Sequence, residues 1–160
     1  MITKIIIPIL ILLILTLLQL VVVPLISIDN VVPNIVLVYV LFYSLKNGQN
    51  AGTIFAFFMG FIYDLSSSGL IGSGMFSFTV AAFIAGYFYK ENFNDIVQNP
   101  KILFLLFMLS SSLFFFFYSV LGSDGISIES QYSVILYSIF SALYTTLISL
   151  SIYLIPRNKL

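Results

Sequence analysis

Six apolar runs separated by short polar stretches make up this 160-residue chain, at about 5–23, 31–45, 51–65, 75–89, 102–121 and 132–155. A helix of about 20 apolar residues rises roughly 30 Å, the thickness of a bilayer's hydrocarbon core, and pairs its own backbone groups where water is absent. A soluble fold is the only competitor, and the composition excludes it. With 61% hydrophobic and 8% charged residues, and a mean hydropathy of +1.15, the chain has too little polar surface to cover a core in water. The predicted fold class is therefore all-α, a single integral membrane domain over 1–160 built as a bundle of about six transmembrane helices. The first run follows Lys4 as a signal peptide would, but it ends in VVVPLIS, without a small-x-small cleavage pattern, and is read as an uncleaved span.

Charge placement orients the bundle. If the amino terminus is cytoplasmic and six spans alternate, Lys4, Lys46, Lys90, Lys101, Arg157 and Lys159 all fall inside, while Asp29, Asp64, Asp124 and Glu129 fall at the outer side. No basic residue then violates the positive-inside rule. The expected location is the bacterial cytoplasmic (inner) membrane, multi-pass, with both termini cytoplasmic. The second to fourth runs are shorter than the hydrocarbon core, so they must thin the bilayer, snorkel or break at depth. Residues 31–65 can be read as two full spans or as a re-entrant hairpin with Lys46 at its tip.

Six spans would use roughly 120 residues, which leaves only short loops and no soluble catalytic domain. The sequence has no His and no Cys, which removes the commonest general base, the thiol nucleophile and the usual zinc and haem ligand sets. No catalytic residue, cofactor or metal is expected. The balanced net charge of +0 offers no basis for a nucleic-acid partner.

Six of the nine glycines lie between positions 48 and 74, so that stretch carries the most local information. Gly52, Ala56, Gly60 and Asp64 are four residues apart and share one helical face, a groove that another backbone can approach closely. Ala82 and Gly86 repeat the spacing in the fourth run. The groove can serve packing within the chain or an intermolecular contact. Asp64 is the only acid set inside an apolar run, and it precedes SSSGLIGSG. Two readings are open: a binding or coupling site in the outer half, or a local acceptor for Ser66, Ser67 or nearby backbone amides that fixes a break in the helix. In the last run, Ser138, Ser141, Thr145 and Ser149 form a hydroxyl stripe read as packing, as do Thr16 and Gln19 in the first. Phe114 to Tyr118 reads as lipid-facing bulk with an interfacial anchor.

The order VPNIVLVYVLFYSL, GTIFAFFMGFIYDLSSSGLIGSG and AAFIAGYFYK resembles the rod-shape-determining MreD family of bacterial inner-membrane proteins. The matching positions are Pro33 and Asn34, then Gly60, Asp64, Leu65, Ser67 and Gly72 in the pattern Gly-x-x-x-Asp-Leu-x-Ser-x-x-x-x-Gly, within about residues 31 to 90. One departure is Ser68, where the family often has glycine; Gly69 follows it here. The resemblance implies a non-enzymatic scaffold of the cell-elongation machinery. It would bind a single-span MreC-like protein and so connect lateral-wall peptidoglycan synthases with an MreB-like actin homologue. It also implies a fold similar to the substrate-binding subunits of energy-coupling-factor vitamin transporters. Together with spacing, it nominates Pro33, Asn34, Gly52, Ala56, Gly60, Asp64, Ser67, Gly72, Ala82 and Gly86 for helix packing or partner binding.

The alternative function is such a transporter subunit. Those proteins present small residues on the first helix, whereas IPILILLILTLLQLVVV has none. An intramembrane enzyme would need paired acids at depth or an Asp-rich metal motif, and Asp124-Gly125 reads instead as an outer turn.

Overall fold

The computed structural model describes residues 3–28, 31–67, 70–89, 99–122 and 128–154. These contain six α-helices and no β-strand beyond a single bridge between Ile28 and Val31. We label them α1 (Thr3–Val21), α2 (Ile35–Asn47), α3 (Gln49–Ser66), α4 (Ser73–Tyr87), α5 (Pro100–Gly122) and α6 (Ile128–Leu154). All six expected apolar runs carry a helix. α5 and residues 134–151 of α6 are each long and apolar enough to cross a membrane, and α2 and α4 are shorter apolar helices.

The boundaries follow capping chemistry more than hydropathy. The apolar pattern places the second span from residue 31, yet α2 starts at Ile35. Pro33 disfavours helical backbone at the residue before it, and the Asn34 side chain accepts a hydrogen bond from the Leu37 amide at 2.9 Å, setting the first turn. At the other end the polar stretch KNGQN is almost entirely helical. The chain reverses at Gly48 alone, whose φ of +89° suits a residue without a side chain. Pro100 opens α5, where a missing N–H costs nothing.

α2 is the centre of the bundle and touches each of the other five helices. Val36, Leu37, Val40, Leu41 and Leu45 are buried around it, against Phe78, Ala81, Ala82 and Ala85 of α4 and Leu103, Phe107 and Phe114 of α5. α1 lies at the edge, with Leu13, Ile14, Leu17 and Val21 exposed. In a bilayer such leucines and isoleucines face acyl chains, so their exposure carries no hydrophobic cost.

The aromatic run in α5 differs from its sequence reading as lipid-facing bulk. Phe114 and Phe115 are buried, with Phe114 4.5 Å from the Phe78 ring and stacked on Tyr118 at 5.6 Å. Phe115 meets Tyr137 of α6 edge-on at 6.1 Å. Successive helical positions turn by about 100°, so five aromatics in a row cannot all face one medium, and only Phe116 of the four phenylalanines is exposed. In the hydroxyl stripe of α6, Ser138, Thr145 and Thr146 each donate to the carbonyl one turn back, and Ser149 donates to the carbonyl of Thr146. The hydroxyls of Ser110, Ser111 and Ser141 are buried without a hydrogen-bond partner; the small size of these residues allows α5 and α6 to pack closely.

Candidate functional site: the Asp64 interlock

Asp64 lies in the last turn of α3 and is 2% exposed. Its carboxylate crosses the break between α3 and α4. Oδ2 accepts hydrogen bonds from the amides of Gly72 at 2.8 Å and Met75 at 3.1 Å, and Oδ1 accepts one from Gly74 at 2.9 Å. The first amides of a helix have no partner within it and carry the positive end of its dipole. Gly72, at the cap position, has no side chain to serve them. Asp64 therefore caps α4 from a different helix. Of the local donors that the sequence leaves open, backbone amides and not the serines reach this carboxylate: Ser66 Oγ donates to the Ile62 carbonyl at 2.8 Å and Ser67 Oγ to the Asp64 backbone carbonyl at 3.5 Å. Ser68 and Gly69 lie outside the described residues.

Three glycines make this contact sterically possible. A side chain begun at Gly60 would meet the Met75 amide nitrogen at 2.6 Å and the Gly74 carbonyl carbon at 2.7 Å. One begun at Gly74 would run into the Asp64 carboxylate itself. Gly72 has open space around it but adopts φ +110°, a left-handed conformation that side chains disfavour. Gly60 thus lets the start of α4 lie on α3, and Asp64, one turn further on, receives its amides. Gly74 was not among the residues singled out from sequence; its signal was its place two residues after Gly72, legible only once the partner carboxylate is known.

The remaining candidates on this face also pack inside the chain. A side chain at Gly52 would strike Ser44 of α2, and one at Gly86 would meet the Gln49 backbone at 2.5 Å, at the start of α3. Ala56 and Ala82 are fully buried. Close approach between backbones yields many dispersion contacts at once, the main source of helix association in lipid. Every small residue of the groove is thereby occupied within one chain.

Pro33 and Asn34 belong to a second polar cluster, apart from the first. Gln19 of α1 donates from Nε2 to the Pro33 carbonyl and accepts at Oε1 from the Ile35 amide, both at 2.8 Å. The Asn34 amide donates to Thr145 Oγ1 of α6 at 3.1 Å. Gln19, Asn34 and Thr145 are all buried. Non-helical backbone persists in an apolar interior only where such partners satisfy it. This cluster ties α1 and α6 to the start of α2. The sequence marks Gln19 and Thr145 only as polar packing residues, because their contacts lie outside their own helices, that of Thr145 across 111 residues, and leave no local pattern.

Both clusters are acceptor and donor sets that join helices; neither presents a nucleophile beside a base. No curated protein and no solved structure matches the chain significantly. The family model for the rod shape-determining protein MreD matches residues 1–157, and with that coverage, and an all-helical apolar bundle holding the Gly60–Asp64–Gly72 arrangement, the chain belongs to the MreD family.

Proposed function

We propose that this protein acts as a non-enzymatic scaffold of lateral-wall elongation, binding an MreC-like single-span protein and through it peptidoglycan synthases and an MreB-like filament. Membership of the family carries the coarser part, a role in rod-shape determination. The Asp64 geometry favours a scaffold over a solute-binding subunit, because both carboxylate oxygens are engaged by backbone amides. A residue so used holds helices together rather than binding a solute. With the small-residue groove filled internally, the partner surface falls on the outward faces of the helices, such as the leucine- and isoleucine-rich face of α1.

Depletion in the native host is expected to round or widen the cells, and affinity capture from membranes to recover a single-span MreC-like protein. Normal shape on depletion, together with a tightly bound vitamin in the purified protein, would instead support the transporter-subunit alternative.

The proposed topology is six spans in the cytoplasmic membrane, both termini inside. Lys46 at the end of α2 and Lys101 at the start of α5 support it. The Lys46 end of the α2–α3 pair is also where Gly86 of α4 meets Gln49, and Phe88 lines a groove with Lys101. Asp64 lies at the opposite end of α3. α2 is only about 20 Å long, and the non-helical residues before it, held by Gln19 and Thr145, supply the rest of the depth. Cysteines introduced at Asn50 and Asn99 should resist an impermeant thiol reagent in intact cells, while one at Leu70 reacts. Reaction at Asn99 would reverse the assigned orientation, and reaction at Asn50 alone would favour the re-entrant hairpin.

A further inference from the structure

The first three turns of α5 carry a feature that neither the interlock nor scaffolding accounts for. Lys101, Leu105 and Leu109 are four residues apart and form one ridge, with an apolar groove on each side. The larger groove, about 580 Å³, is lined by Phe104 and Met108 and walled by Leu150 of α6. The smaller, about 220 Å³, runs along Leu106 and reaches Phe88 at the end of α4. Among the described residues Lys101 is the only charged one lining either groove, and it borders both.

We propose that this ridge seats one anionic phospholipid of the surrounding bilayer, its phosphate on Lys101 and one acyl chain in each groove. Three features of the site select this occupant. One cation at the shared mouth of two apolar channels matches a molecule with one anionic head and two tails. From Lys101 to Ser112, at the far end of the larger groove, the helix rises about 16 Å, close to the roughly 15 Å depth of one leaflet's hydrocarbon. Lys101 also lies in the first turn of α5, where the helix dipole adds to its attraction for an anion. A transmembrane helix from a partner or second copy would need neither the forked shape nor the charge. An ordinary annular contact needs no cation and would not distinguish headgroups.

The chain contains no Trp, so a Phe104→Trp variant of the full-length protein provides a single fluorescent reporter inside the larger groove. Reconstituted in mixed vesicles, it should be quenched by brominated phosphatidylglycerol with about fivefold higher relative affinity than by brominated phosphatidylcholine. Adding Lys101→Gln should reduce that ratio to near one, while adding Lys46→Gln, at a basic residue that lines neither groove, should leave it unchanged. A Leu17→Trp reporter on the outward face of α1 should show no headgroup preference. Equal quenching by both lipids at Phe104→Trp would mean ordinary annular contact and overturn the proposal. So would a preference that survives Lys101→Gln. Absence of quenching by either lipid would show that protein covers the ridge, and would overturn it as well.

Discussion

Asp64→Ala is expected to remove most of the folded protein from the membrane. The substitution leaves the buried amide of Gly74 and the partly buried amides of Gly72 and Met75 without this acceptor. A buried unsatisfied group costs about 1–3 kcal/mol, and the two partly buried amides add to the loss at Gly74, so a total of about 3 kcal/mol is expected, a large share of the stability of any small domain. Asp64→Asn should fall between the two. With its one carbonyl oxygen at the Oδ2 position, Asn keeps the bonds to Gly72 and Met75 but turns an NH₂ towards the Gly74 amide. The expected order of thermal unfolding midpoints in detergent is wild type, then Asn, then Ala, with complementation of cell shape following the same order. A folded, normally abundant Asp64→Ala protein that fails to restore shape would separate the residue from folding and assign it a direct role in binding.

Gly60→Leu should be as damaging, and Gly60→Ala nearly so. The atoms that a new Cβ meets at 2.6 and 2.7 Å are backbone of the first turn of α4, which cannot retreat without pulling its amides away from Asp64. Overpacking of this kind costs about 1–3 kcal/mol even for one methyl group. Ile54→Ala, at a position 61% exposed on the same helix, should shift the midpoint little. Gly72→Ala should cost about 1–2 kcal/mol for its left-handed backbone alone, because nothing lies within 4 Å of the new atom. Because Gly60 and Asp64 act on the same turn of α4, the Gly60→Ala, Asp64→Ala double variant should be less destabilised than the two single losses added together. Simple additivity would show that the two residues support separate contacts.

Much of the architecture was legible in the chain because lipid enforces it locally. A bilayer admits helices of a set length, so the apolar runs were enough to expect an all-helical membrane protein and to locate the six helices of the described residues. The Gly60–Asp64–Gly72 spacing likewise marked where the chain is most constrained. Direction in space was not legible there. Whether Asp64 faced a ligand, its own serines or another helix depended on where the start of α4 came to rest, and the small residues at 60 and 74 acquired meaning only as the two sides of that contact. Phe114 and Phe115 looked like lipid-facing bulk because acyl chains and a protein interior are equally apolar; only the packing of α5 against α4 and α6 decided which rings are buried. The same holds for Gln19, Asn34 and Thr145, which hydropathy treats as three unrelated polar residues. Their hydrogen bonds form between helices, and the folded bundle alone brings those helices together.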